Sequence, residues 1–242
     1  MADNAFEHPR LAAIYDALDP DRSDLDTYVA IAEELGARRV LDLGCGTGTF
    51  AILLAHRGFE VTGVDPALAS LEVAQAKAGG DAVRWIRGDA ASLPTVEFDL
   101  ATMTGNVAQA IVERSDWEAL LRGVYEALRP GGYLVFETRN PAHRAWEVWN
   151  RAATYSVTEI DGVGAIENWQ EVIDARDALV TFRSTTVFAS DGQVLTSEST
   201  LRFRERDEVL TDLDQSGYVA FDVRDAPDRP GREFVFIARR RG

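Results

Sequence analysis

The sequence predicts an α/β fold: a mostly parallel sheet built from βαβ units, followed late in the chain by an antiparallel meander and a closing pair of strands. Three observations predict it. Short apolar strands alternate with helix-period segments from residue 39 to residue 137, which is the pattern of βαβ units. After residue 150 that alternation gives way to long period-two strands with no helices between them. Apolar residues make up 46% of the 242 positions, enough to core one large domain.

The elements follow in order. Helical patterns cover residues 10–18 and 25–36. In the second, Leu25, Tyr28, Val29, Ala32 and Leu35 share one face and Gly36 supplies a stop. Arg39–Leu43 reads as a short buried strand, Gly44–Gly48 as a glycine-rich turn and Phe50–His56 as a helix. Phe59–Val64 is a second strand ending at Asp65, and Ala67–Ala78 a helix. Val83–Arg87 and Phe98–Thr104 are the third and fourth strands. Asp116–Leu128 is a helix with Trp117, Leu120, Leu121, Val124 and Leu128 inward; Pro130-Gly131-Gly132 breaks it, and Tyr133–Glu137 is the fifth strand. The meander spans residues 153–204, with Asp191-Gly192 as a two-residue hairpin signal. A helix over 206–216 stops at Gly217, and strands Tyr218–Val223 and Glu233–Ala238 close the chain. Their connection is too short for a helical crossover, so they pair antiparallel. Arg239-Arg240-Arg241 reads as a frayed end.

Composition narrows the function. A net charge of −15 repels a phosphate backbone, so nucleic acid is not expected as a partner. The lone cysteine, Cys45, excludes an internal disulfide and a multi-cysteine zinc site, and no metal site is expected. No basic-then-apolar start and no apolar run of membrane length is visible. The expectation is a cytoplasmic protein with no membrane partner.

The chemistry is written in Val40–Phe50. A strand running into bare backbone and then a helix offers N–H groups to a ligand. The spacing here is Gly-x-Gly-x-Gly, and Thr49 takes the third-glycine place of the dinucleotide fingerprint. That argues against a nicotinamide oxidoreductase, and no Gly-Lys pair makes a nucleotide P-loop. Asp65, at the end of the second strand, can accept from both hydroxyls of a ribose. Asp89 and the N–H of Ala90 can read the edge of an adenine. These groups together describe an adenosine without an obligatory phosphate binder.

At these residues the chain resembles the class I S-adenosylmethionine-dependent methyltransferases of small-molecule type. Five segments carry the resemblance in order: Leu41–Gly48, Val61–Asp65, Gly88–Pro94, Phe98–Leu100 and Leu128–Gly132. The ending, Ser216-Gly217-Tyr218 and two strands, is similar to the family's reversed final hairpin. The resemblance implies a Rossmann-like, doubly wound, seven-stranded, mostly parallel sheet with an antiparallel last strand. The antiparallel β insertion then falls between strands 5 and 6. It implies S-adenosyl-L-methionine as cofactor and S-adenosyl-L-homocysteine as product, with a methyl group moved to an oxygen or nitrogen of a small-molecule acceptor. Gly44, Gly46 and Gly48 would pack on the methionine part, with Asp42 helping to hold it. Asp65 would grip the ribose, Pro66 or Leu68 would press on the adenine face, and Asp89 and Ala90 would read its edge. Thr104 and Asn106 would sit near the methionine carboxylate and the methyl. Tyr15 matches a tyrosine in an N-terminal lid. One domain of four parts is expected: a helical lid over 1–36, a cofactor-binding core over 37–150, the insertion over 151–205 and a return to the sheet over 206–242.

Several readings stay open at the level of sequence. Asp42 is either a strand-end carboxylate bonded to backbone or a cofactor ligand; Asp65 is either a helix cap or the ribose ligand; Asp89 either starts a loop or binds. Cys45 reads as an inert small side chain. His56 suits the end of its helix. His143 is the candidate general base, set against a solvated loop histidine, and His8 is a weaker second. Trp146, Trp149, Tyr155 and Trp169 either pack in the core or wall a substrate pocket. The insertion either roofs that pocket or pairs two subunits as a homodimer. Competing classes are a methyltransferase acting on RNA or protein, and a cofactor-binding homologue that transfers no methyl.

Overall fold

The computed structural model describes residues 3–93 and 97–242; Pro94, the last residue of one family segment, lies outside them. Its strands form two sheets. The first contains β1 (Arg39–Leu43), β2 (Glu60–Asp65), β3 (Arg84–Arg87), β4 (Phe98–Met103), β5 (Leu128–Arg139), β10 (Tyr218–Asp225) and β11 (Glu233–Arg240), in the order β10-β11-β5-β4-β1-β2-β3. The pairs of β1 with β2, β1 with β4, β2 with β3 and β4 with β5 are parallel. β11 runs antiparallel to both β5 and β10. The chain winds outward from β1 in one direction and then from β4 in the other, so the carboxyl ends of β1 and β4 border a crevice where α/β sheets bind ligands.

Helices cover both faces. The short α1 (Asn4–Glu7) leads into α2 (Pro9–Leu18), and α3 (Leu25–Glu34) precedes β1. α4 (Thr49–His56), α5 (Leu68–Ala76), α6 (Val107–Ala110) and α7 (Arg114–Ala127) connect the parallel strands. α8 (Arg151–Thr154) precedes the second sheet and α9 (Arg206–Gln215) follows it. Two cores result. Leu25, Tyr28 and Val29 of α3 and Phe50 and Leu54 of α4 pack with Val40 and Leu100 on one face. On the other, Trp117, Leu121 and Val124 of α7 and Leu213 of α9 pack with Leu41, Ala101 and Phe136. Val40, Leu41, Asp42 and Leu43 are therefore all buried, as expected of a strand covered on both faces. His56 sits in the last turn of α4.

The fifth strand is longer than its periodicity predicts. The residue before a proline is disfavoured in α conformation, and Leu128 already leaves the helix at φ −77°, ψ 146°. Pro130-Gly131-Gly132 is no separate break but an irregularity inside β5: Leu128 pairs with Phe98 and Tyr133 with Leu100, so the extra residues bulge out of register. The arginine-rich tail is also not frayed. Arg239 and Arg240 belong to β11; Arg240 bonds to the Leu128 carbonyl and lies 4.3 Å over the Tyr125 ring.

The second sheet is the antiparallel insertion, β6 (Ser156–Ile160), β7 (Gly164–Arg176), β8 (Leu179–Phe188) and β9 (Val194–Arg202), paired in that order. It starts later than the period-two pattern suggested, because Arg151–Thr154 forms a helical turn capped by Asn150. The hairpin at Asp191-Gly192 is not a two-residue turn. Phe188 and Gln193 close a loop of residues 189–192, with Gly192 at φ +71°. The tight turn lies instead at Asp177-Ala178, both at positive φ between paired Arg176 and Leu179. Alanine there gives no sequence signal, since such turns favour Asn and Gly.

Candidate functional site

The turn after β1 is tied down by N–H groups of Gly44 and Cys45 donating to the Val64 carbonyl at 2.8 and 3.2 Å. Gly44, Gly46 and Gly48 have φ of +68°, +53° and +80°, conformations an L side chain enters at a cost. The three differ in what surrounds them. A Cβ at Gly44 would lie 2.5 Å from Val107, and one at Gly48 2.5 Å from Trp85, whereas nothing lies within 4 Å at Gly46. Gly105, after β4, is likewise left-handed and open. Two turn glycines thus serve packing, while Gly46 leaves backbone accessible. Cys45 is buried within the turn and its thiol is pushed up by burial, so it stays protonated.

Two buried carboxylates flank this turn. Asp42 accepts the Thr102 hydroxyl at 3.0 Å on Oδ1, while Oδ2 has no partner. Burial pushes its pKa up to about 7, against the pull of the Thr102 hydrogen bond. Asp65 accepts N–H bonds from Ala67 and Gly46, each at 2.8 Å. Burial raises its pKa, and those two bonds oppose the rise. Asp65 does not cap α5, whose N-cap is Ala67 and carries no side-chain cap bond; the carboxylate instead pins the glycine turn, and each oxygen keeps a second lone pair. Asp89 is exposed after β3, its carbonyl accepting the Ser92 N–H at 2.9 Å; Ala90, half-buried, opens a single helical turn. Pro66 and Leu68 are exposed at the start of α5.

The N-terminal segment folds across these groups. Glu7 accepts the Leu68 N–H at 2.8 Å, and Ser70 donates to the Phe6 carbonyl at 2.9 Å. Asp16 accepts the hydroxyls of Thr47 at 2.7 Å and Thr49 at 3.1 Å and pairs with Lys77. Tyr15, 39% exposed, lies 5.5 Å from Phe6 with the two rings tilted by 53°. Its pKa is raised by desolvation, with Arg22, Asp19, Asp16 and Arg139 near enough to act on it. His8 caps α2, accepting the Arg10 N–H at 3.2 Å.

At the other lip, Thr104 is half-buried and Asn106 buried at φ +62°. Asn106 donates its N–H to Glu137 at 3.0 Å and its amide to Glu233 at 3.3 Å, leaving Oδ1 without a partner. Burial and the neighbouring Glu233 push Glu137 up to about 7. Arg139 donates to Gln109 at 3.1 Å and lies 5.5 Å over Trp149. Sequence reasoning missed Glu137, Glu233, Arg139 and the clasp of Asp16 with Lys77. For Glu137 and Arg139 the available signal was a charged residue at the carboxyl end of a largely apolar strand.

The four aromatic residues do not form one wall. Trp146 packs 4.5 Å from Phe203 and Trp149 5.1 Å from Phe182, beside Arg139. Tyr155 and Trp169 pair 6.3 Å apart with Arg151 over Trp169. Trp169 alternates with Ile166, whose side chain packs against α2, so it points to the opposite face of the insertion. His143 ends a one-turn helix after β5 and is exposed. Among the described residues no cluster of three or more metal-ligating side chains occurs, and no helix is long and apolar enough to cross a membrane.

A methyltransferase-domain family model matches residues 40–132. The chain is 36% identical over 119 residues to a cypemycin N-terminal methyltransferase of a Streptomyces species, covering 49% of each chain. It is 30% identical over 177 residues to a demethylmenaquinone methyltransferase of Clavibacter sepedonicus, covering 68% of this chain and 70% of that one. The chain spans about half the length of the first curated relatives it matches. Among solved structures, the CcbJ methyltransferase of Streptomyces caelestis matches with a TM-score of 0.79 at 22% identity, both chains covered fully. CalS10, an amino pentose methyltransferase of Micromonospora echinaspora, matches at 0.72 and 21%, over 94% of this chain and 96% of that one. At these identities the structures speak for the fold.

Proposed function

Because this chain belongs to the class I S-adenosylmethionine-dependent methyltransferase family, we propose that it transfers a methyl group from S-adenosyl-L-methionine to an oxygen or nitrogen of a small molecule. The observation that carries the assignment to this crevice is Asp42. A buried carboxylate oxygen without a partner, on the strand that leads into the open backbone of Gly46, is costly unless a ligand completes it. The methionine ammonium supplies the missing donors and the missing charge.

The other residues fit the rest of the molecule. Asp65 has lone pairs left for the ribose hydroxyls. Exposed Pro66 and Leu68 offer an apolar surface to the adenine, with Asp89 and the Ala90 N–H at its edge. Gly44, Gly46 and Gly48 shape the turn beside the methionine part. Thr104 and Asn106, just after β4, sit near the methionine carboxylate and the methyl in this reading, with the Thr104 hydroxyl as a donor to that carboxylate. Tyr15, held on the N-terminal segment, closes the crevice from above. When bound, S-adenosyl-L-methionine would supply an electrophilic methyl group, and the crevice residues would hold it in line with the acceptor's lone pair. What the protein adds is alignment and the exclusion of water, and alignment alone contributes on the order of 7–11 kcal/mol. A proton lost by the acceptor leaves toward solvent, where His143 stands in the loop after β5.

Calorimetry with S-adenosylhomocysteine tests this reading. Binding is expected, and Asp65→Ala is expected to weaken it by about 1–3 kcal/mol through lost charge-assisted bonds. No measurable binding by the intact chain overturns the assignment; unchanged affinity in the variant removes the ribose role of Asp65.

A further inference from the structure

The insertion sheet turns a polar face toward the body of the molecule. At one end of that face, Ile166 and Phe188 pack with Leu11 and Ile14 of α2. At the other, Phe182 packs on Trp149, which lies under Arg139. The register aligns Asn168 with Thr186, Gln170 with Ser184 and Val172 with Phe182, and on the next strand Ser184 with Ser197 and Phe182 with Ser199. Residues two apart along a strand, and residues directly paired across strands, point to the same side. Between its two apolar contacts the inward face therefore carries Asn168, Gln170, Ser184, Thr186, Ser197 and Ser199.

A face packed onto an apolar body is normally apolar itself. Here Thr186, Ser197 and Ser199 are buried, and Asn168, Gln170 and Ser184 half-buried. Asn168 donates to Thr186 at 3.1 Å and Ser197 accepts the Ala5 N–H at 2.8 Å. The side chains of Gln170, Ser184 and Ser199 make no hydrogen bond among the described residues. They are not sealed from solvent without a partner, so their bonding capacity stays free for a ligand. Hydroxyls and an amide, with an aromatic wall at one end, match a ring that carries several hydroxyls: its edge pairs with the polar groups and its C–H face lies on the aromatics. An isoprenoid or other apolar acceptor would leave those groups unpaired.

We propose that the methyl acceptor is a polyhydroxylated ring, a sugar or a cyclitol, bound beneath this face; the inference rests on the methyl-transfer reading above. Formation of S-adenosylhomocysteine is measured with three probes: a nucleoside-diphosphate-linked aminodeoxyhexose, the free aminocyclitol 2-deoxystreptamine, and a demethylated naphthoquinone bearing an isoprenoid chain. Turnover of either hydroxylated probe is expected, and which one distinguishes a nucleotide-linked from a free acceptor. In the Ser184→Val/Ser199→Val double variant its KM should rise about tenfold, while S-adenosylhomocysteine affinity and melting temperature stay unchanged. Turnover of the naphthoquinone alone, or of no probe by protein that binds S-adenosylhomocysteine, overturns the hydroxylated acceptor and leaves the methyl-transfer reading standing. Failure to bind S-adenosylhomocysteine overturns both.

Discussion

Asp42 links the site to stability. Its pKa of about 7 lies above the ordinary carboxylate value because burial penalises its charge. Between about pH 4 and pH 7 the folded chain keeps a proton that the unfolded chain has released, so this residue withdraws stability as pH rises through that window. Asp42→Asn keeps the shape and removes the titration. The variant is expected to melt above the parent already near pH 5, and the gap is expected to widen by pH 8. It should also bind S-adenosylhomocysteine about 1–3 kcal/mol more weakly, having lost the anion for the ammonium. Thermal melts at both pH values and calorimetry check the pair; equal melting at the higher pH would remove the linkage. Asp42 was legible in the sequence because it precedes the glycine turn by two residues. Glu137 was not, since its burial depends on β11 and on Asn106, which are distant in sequence. A strand-end glutamate looks the same on the page whether it faces water or another carboxylate.

The glycine turn is an element whose sequence spacing was plain but whose division of labour was not. The spacing does not say that Val107 and Trp85 fill the room beside Gly44 and Gly48; that follows from how α6 and β3 pack. Gly46→Ala and Gly48→Ala both force a side chain into left-handed backbone, at about 1–2 kcal/mol. Gly48→Ala adds a collision with Trp85 and Ala74, worth about 1–3 kcal/mol more. The expected result is a large loss of stability at position 48. At position 46 a smaller loss is expected, with a disproportionate drop in S-adenosylhomocysteine affinity. Denaturant melts and titrations of both variants separate these; equal effects on stability would mean that Gly46 is not an open position. Elements with local causes, such as β1 with its turn or α7 with its apolar stripe, were readable. The Pro130-Gly131-Gly132 bulge and the Asp177-Ala178 turn were not, because strand pairing overrides the local preference there.

At the scale of the molecule, the N-terminal segment is stitched to the glycine turn and α5 by side chains far apart in sequence. Glu7 holds the N-terminus of α5, and Asp16 holds Thr47, Thr49 and Lys77. α1 also leans on the insertion, through the Ala5 N–H on Ser197 and the Asn4 amide on the Thr196 carbonyl. The N-terminal segment is thereby the piece that touches the turn, the second strand's exit and the inner side of the second sheet. Most of its polar contacts are at least partly exposed, which leaves them individually weak and able to open for ligand entry. A ligand gripped by the turn and covered by Tyr15 would add to the closed state alone. At about one hundred times its dissociation constant it would stabilise that state by about 2.7 kcal/mol. Amide hydrogen exchange with and without S-adenosylhomocysteine reads this directly. Residues 4–18 are expected to slow together with 44–67, although no covalent neighbour joins them. Strands β6 and β7, which meet α2 at one end through Ile160 and Ile166, are expected to change less than the N-terminal helices. Protection confined to 44–67, with the N-terminal helices exchanging as before, would show that the segment rests on the crevice without closing it.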